Sequence, residues 1–441
     1  MLSEKDVHVH MLGVLGAGMA PLASLLADRG IRVTGSDLRA DGSLMPQGVT
    51  PLYLSDSGSA SFLAYSLAVP DRDPEMVYAR SRGIPLVSRA ELLGGVMLDY
   101  ERRIAVSGSH GKSTVTALLD LILSSLGMSP TTVSGSALSD GSVYRRGGRE
   151  TFIYEACEYK GSFLRTSPTD VIVNNVQLDH TDYFKSEDEI ERCFRTLLFG
   201  VTGNILIGDD GGIARSIYED IKDRALLVGT SPECDIRYTN VEFCDTGAAF
   251  SLEYKGKAIG RFETRMIGEY NVRNAAMALG MAYVLGADIS GARDTLRTFS
   301  GIGRRAELLG ELSGRAVYYD YAHHPTEIRS FLSAIRERHG AVTCIFRPHT
   351  FSRTASLFDD FAESLRLADA SVILDIYPAR EDPIDGITAE ALASAVGETA
   401  VTLDFEDTVN YCLHNTHGAI ALMGAGDVEK IKKELTELME K

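Results

Sequence analysis

Short apolar runs alternate with amphipathic stretches along the whole chain. Residues 7–14, 31–35, 62–69 and 102–107 read as strands, and residues 20–29 read as a helix after the first of them. Pro21 suits the first turn of that helix, where a missing N–H costs nothing. Further strands are predicted at 152–155, 171–174 and 204–207, then at 316–320, 342–346, 371–376 and 419–423. Residues 271–285 are rich in Ala and Met at helical spacing, the pattern of a buried helix. Strands alternating with helices imply α/β layers with largely parallel sheets. The glycine-punctuated stretch 300–303 reads as a hinge. The expected layout is therefore three α/β domains, 1–100, 101–305 and 306–441.

Composition narrows the function. Against 44 basic side chains stand 61 acidic ones, a formal net charge of -17, so non-specific nucleic-acid binding is not expected. An anionic nucleotide can still be held by backbone N–H groups and a few local cations. The cysteines are scattered, with no C-x-x-C pair, which predicts no disulfide or zinc framework and a reduced, cytoplasmic protein. Residues 1–6 carry charges and lead straight into a strand pattern, so no signal peptide is expected. No apolar run reaches the length of a membrane span. Nothing in the sequence indicates a homo-oligomer.

The strongest chemical signal follows the strand at 102–107. Gly108-Ser109-His110-Gly111-Lys112-Ser113-Thr114 is a glycine-rich turn, and residues 115–123 continue as a helix. Glycines let backbone N–H groups curl around phosphate oxygens, and the helix N-terminus adds a favourable dipole. Lys112 would reach the β- and γ-phosphates of ATP, and the Ser113 hydroxyl would sit on Mg2+. The spacing departs from the usual phosphate loop, because Val106 occupies the place of its first glycine.

That shortened loop is similar to the one in the Mur ligase family. Two further segments resemble the branch of the family that adds L-alanine. They are Glu155-Ala156-Cys157-Glu158-Tyr159-Lys160-Gly161-Ser162 and Asn175-Val176-Gln177-Leu178-Asp179-His180-Thr181-Asp182. Cys157, Tyr159 and Gln177 stand where the family has acidic or polar residues. The resemblance implies Mg2+ ligation by Glu155 and His180, with adenine contacts from Asn271 and Asn274 in Gly268-Glu269-Tyr270-Asn271-Val272-Arg273-Asn274. Read without it, those asparagines serve equally as helix caps. It further implies that Arg305 reaches the ATP phosphates and that Asp320 assists the nucleotide. His324, His349 and Arg353 would lie near the incoming amino acid, as catalytic residues together with Lys112.

The family is built from a Rossmann-like N-terminal domain, a central phosphate-loop ATPase domain with a mainly parallel sheet, and a Rossmann-like C-terminal domain. The glycine turn with Gly16 and Gly18, then Ser36, Asp37 and Ser66, resembles the parts that hold a nucleotide-sugar, here UDP-N-acetylmuramate. Leu15, Ala20 and Pro21 depart from the family's version of that turn, and Pro21 argues against a dinucleotide fingerprint. Three alternatives remain: a sister ligase that attaches a peptide to the same sugar, an oxidoreductase, and a non-catalytic nucleotide-binding relative.

Overall fold

The computed structural model describes residues 7–38, 44–180, 183–244, 247–379, 381–414 and 418–440. Residues 1–6, on which the reading of the N-terminus rests, lie outside that range, as do Thr181 and Asp182 of the second motif. The chain divides into two compact units. The first holds residues 1–177, 188–234 and 277–292, and the second holds 178–187, 235–276 and 293–441.

The first unit contains an all-parallel sheet in the order Val49–Pro51, Arg32–Ser36, His8–Leu12, Phe62–Tyr65, Leu86–Ser88. Its connections run both ways from the central strand, so the turn after Leu12 opens at a switch point where open α/β sheets bind ligands. The predicted strands at 7–14 and 62–69 are shorter in the structure. The chain leaves the ladder at Gly13, whose φ of +75° suits glycine. The helix Ala20–Asp28 follows, with Pro21 in its first turn.

A larger sheet in the same unit runs Leu226–Gly229, Ile205–Gly208, Asp170–Val173, Arg102–Ser107, Thr151–Glu155, Thr131–Val133, Tyr144–Arg145. All neighbours are parallel except the last pair. Arg102–Ser107 lies between the two strands that end at Val173 and Glu155, so their carboxyl ends flank the phosphate loop.

The second unit carries an antiparallel meander, Ile236–Cys244, Gly247–Tyr254 and Lys257–Thr264, which the sequence pattern did not reveal. Its outer strands have few buried positions and carry several charged residues, so no apolar run marks them. The buried helix expected at 271–285 is Glu269–Val284. The remaining sheet runs Glu307–Leu312, Arg315–Asp320, Ala419–Gly424, Val342–Arg347, Ala370–Ile373, Ala400–Thr402, parallel apart from the first strand. Its central strands are covered on both faces. Tyr318, Phe346 and Met423 enter one core, and Tyr319, Ile345 and Leu422 enter the other. That double burial is why they read as continuous apolar runs.

Candidate active site

The phosphate loop is fixed from both sides. Gly108 has a φ of +125°, and a Cβ there would stand 2.9 Å from the Asn175 carbonyl oxygen, so only glycine fits. Gly111, at a φ of +83°, caps the helix Lys112–Ser125. The His110 N–H donates to Asn175 Oδ1 (2.9 Å), and both Asn174 and Asn175 donate side-chain N–H groups to the His110 carbonyl (3.0 Å each). The Ser109 hydroxyl donates to the Gln177 carbonyl (3.0 Å), and His110 Nε2 lies 3.0 Å from Gln177 Oε1. Gln177, a departure from the family, is therefore built into the loop's support.

On the other side, Lys112 Nζ contacts the Glu158 carboxylate at 3.0 Å and donates to the carbonyls of Gly108 and Ser109. Glu158 was not singled out from sequence. The signal available was its place three residues after Glu155 in the quoted motif. Ser113 Oγ donates to Glu155 Oε2 (3.0 Å), while Ser134 Oγ and the Gly135 N–H reach Oε1 at 2.7 Å each. Ser134, at the end of a strand, carried no sequence signal.

The donor set suits Mg2+, which takes hard oxygen ligands and keeps several waters, binding through one or two carboxylates plus phosphates. The Glu155 carboxylate and the Ser113 hydroxyl are such donors. Among the described residues no three His, Cys, Asp or Glu side chains form a ready-made cage, and Mg2+ bound through phosphates requires none. His180 belongs to the second unit. It has a φ of +55°, and its N–H donates to Asp179 Oδ1 (2.6 Å).

Glu155 also lines a cavity of about 320 Å³, together with Gly16, Gly18, Ser66, Cys157 and Tyr159. Ser36 and Asp37 do not line it. Ser36 donates to Glu75, a buried carboxylate that also accepts the Leu54 N–H (2.6 Å) and lies 2.9 Å from His10 Nε2. Asp37 Oδ2 accepts the Leu15 N–H (3.0 Å), so these two residues brace the glycine turn from behind. Burial pushes the Cys157 thiol up, which makes it a neutral wall where the family has an acid.

In the second unit, Asp320 ends its strand and accepts the N–H groups of Ala306 (2.6 Å) and Ala322 (2.7 Å). Burial pushes its carboxyl up to about 6. Arg305 lies 3.6 Å from Glu327 and over the Tyr321 ring. Asn271 donates to the Ile267 carbonyl (2.9 Å) and Asn274 donates to Asn271 Oδ1 (3.1 Å), so the two carboxamides form one buried pair.

The histidines separate by environment. His324 caps the helix Pro325–His339, its Nδ1 accepting the Thr326 N–H at 3.3 Å. While that cap holds, a neutral His324 carries its proton on Nε2 and is a donor rather than a base. His323 and His349 face each other at a ring separation of 6.2 Å, and burial pushes both down to about 4. His323 was not singled out beside its neighbour. Arg353 NH1 lies 3.4 Å from His349 Nδ1, and its NH2 lies 3.4 Å from Asp179 Oδ1. Burial opposes the charge of Asp179, yet His180 and Arg353 hold its carboxyl below the usual range.

Known proteins resemble this chain over nearly its whole length. Family models match three successive stretches: the Mur ligase family catalytic domain at residues 8–101, the Mur ligase middle domain at 106–282, and the Mur ligase glutamate ligase domain at 304–428. A UDP-N-acetylmuramate–L-alanine ligase of Alkaliphilus metalliredigens is 36% identical over 97% of this chain and 96% of its own. One from Caldanaerobacter subterraneus is 34% identical over 98% of both. The crystal structure of UDP-N-acetylmuramate-alanine ligase from Thermotoga maritima superposes with a TM-score of 0.82 at 22% identity, covering 98% of this chain and 99% of that one. With matched models spanning nearly its whole length and relatives this similar, the chain belongs to the Mur ligase family.

Proposed function

We propose that the chain is an ATP-dependent ligase that joins L-alanine to the carboxylate of UDP-N-acetylmuramate, releasing ADP and phosphate. One observation carries the reading. Glu155, bonded to Ser113 of the phosphate loop, also lines the cavity bordered by the glycine turn, so a nucleotide phosphate site and a second substrate site share one carboxylate. The shared name of relatives at 34–36% identity supports the choice of substrates.

The γ-phosphoryl group passes to a carboxylate oxygen of the sugar, giving an acyl phosphate. The neutral amine of L-alanine attacks the acyl carbon, the C–O bond to phosphate breaks, and the amine proton passes to the released phosphate or to solvent. Lys112 and Arg305 would offset charge on the transferring group, and the N–H groups of the loop would orient it. Mg2+, with Ser113, Glu155 and His180 as its proposed ligands, would neutralise phosphate charge. Arg353 would receive the amino-acid carboxylate. His349, neutral at pH 7, would add no second cation beside Arg353, and His324 would donate through Nε2.

The test is phosphate release from ATP and Mg2+ with UDP-N-acetylmuramate, comparing L-alanine, a tripeptide and no acceptor. Release that requires L-alanine, with an amide of matching mass, supports the reading. Release only with the tripeptide moves the chain to the peptide-adding ligases, and no acceptor-dependent release removes the ligase assignment.

A further inference from the structure

Arg89 lines the same cavity as Glu155 and the glycine turn, and no sequence motif pointed to it. It is the first residue of the helix Arg89–Met97, whose start is locked by a capping box between Ser88 and Glu91. The backbone beneath the side chain is therefore fixed. The side chain lies directly over Gly18. A Cβ on Gly18 would stand 2.8 Å from Arg89 Cδ and 3.2 Å from both Nε and NH1. A side chain at Gly18 would therefore displace this arginine from its place over the turn.

Among the described residues lining the cavity, Arg89 is the only basic one and Glu155 the only acidic one. Glu155 is already engaged by Ser113, Ser134 and the Gly135 N–H. No hydrogen bond or ion pair joins Arg89 to any described residue. A half-buried guanidinium with five donors and no acid beside it is an incomplete arrangement, and an anion in the cavity would complete it.

We propose that Arg89 binds the diphosphate of the nucleotide-sugar and is a specificity-determining residue for that substrate. This rests on the ligase reading above. The substrate brings two kinds of anion, a diphosphate and a carboxylate. The carboxylate that accepts the phosphoryl group belongs near Glu155 and the phosphate loop. Arg89 stands at the glycine turn, on the carboxyl edge of the parallel sheet where phosphates are held. Its planar fork matches two phosphate oxygens, which a lysine ammonium cannot do.

The full-length protein, as wild type, Arg89→Gln and Arg89→Lys, is titrated calorimetrically with UDP and with UDP-N-acetylglucosamine, which lacks the muramoyl carboxylate. Steady-state constants are measured in parallel. The expected result is a loss of affinity for both probes of about tenfold or more in Arg89→Gln and a smaller loss in Arg89→Lys. KM for the nucleotide-sugar rises alongside, while kcat and KM for ATP stay near wild type. If Arg89→Gln fails to fold, Arg89→Lys decides by the same two titrations. Unchanged UDP affinity overturns the proposal, and a fall in kcat with UDP binding intact would instead assign Arg89 to the carboxylate. Because UDP binding needs no turnover, a wild type that binds UDP but lacks L-alanine-dependent activity defeats the ligase reading alone.

Discussion

Lys112 Nζ and the Glu158 carboxylate stand 3.0 Å apart, and the Glu158 side chain has no exposed surface. The phosphate-loop cation is therefore held by a buried acid. Removing one member leaves the other buried without its opposite charge, which costs on the order of 3 kcal/mol, whereas removing both is far less costly.

Lys112→Ala is accordingly expected to abolish ATP-dependent phosphate release and to lower the thermal midpoint. Lys112→Ala combined with Glu158→Gln is expected to recover most of the midpoint while turnover stays at background. Calorimetry and phosphate release measured on the same samples check both halves. A single variant as stable as wild type would remove the pairing argument.

The Ser113–Glu155 contact predicts a different signature. Both oxygens would be ligands of a hard cation, so Ser113→Ala and Glu155→Gln should each raise the Mg2+ concentration for half-maximal activity by about tenfold or more. Ser134→Ala, which removes only a hydrogen bond that orients Glu155, should shift it less. Equal shifts in all three would mean that the serines merely hold the carboxylate in place.

Much of this site was legible because its residues follow strands whose apolar runs are unmistakable. Gly108, Lys112 and Ser113 come directly after 102–107, and Glu155 comes directly after 152–154. Arg89 was not legible. It opens a helix far from the loop in sequence, and only the fold brings it over Gly18. Ser36 and Asp37 were legible as residues at a strand end, yet their side chains turn to Glu75 and to the Leu15 N–H rather than to the cavity. The antiparallel meander escaped because about half of the positions in its two outer strands face solvent, which breaks the apolar runs that marked the parallel strands.

Acid sensitivity of the second unit follows from its histidines. His323 and His349 are lowered to about 4 from the ordinary 6.5, so between those values the unfolded chain binds protons that the folded one refuses. Their contribution is fully present above pH 6.5 and is lost as pH falls towards 4. Asp320, raised to about 6, acts in the opposite sense, since its contribution is present below its unfolded value and lost as pH rises through 6. Two protons against one leave stability rising with pH. His349→Gln should make the dependence shallower by about one proton, roughly 1.4 kcal/mol per pH unit. Urea midpoints between pH 4.5 and 6 would show this, and an unchanged slope would place the lost protons elsewhere.

Arg347 closes the strand Val342–Arg347 with a set of side-chain contacts. Its NH2 lies 3.1 Å from Asp427 Oδ1, and its guanidinium sits over the Phe405 ring at 4.9 Å and the Tyr377 ring at 5.9 Å. It thereby ties the end of Val342–Arg347 to the turn after Ala419–Gly424 and to the helix Phe405–His414. The side chain is only 7% exposed as a residue, whereas Asp427 keeps partial access to water, so loss of the arginine leaves an acid that solvent can still reach. Arg347→Gln should therefore cost about 1–3 kcal/mol, less than breaking a fully buried pair. Arg347→Lys keeps the charge but not the planar stacking surface, and should fall between wild type and Gln. Unfolding of the three proteins in urea orders them, and a glutamine variant as stable as wild type would mean that the ring contacts and the ion pair contribute nothing.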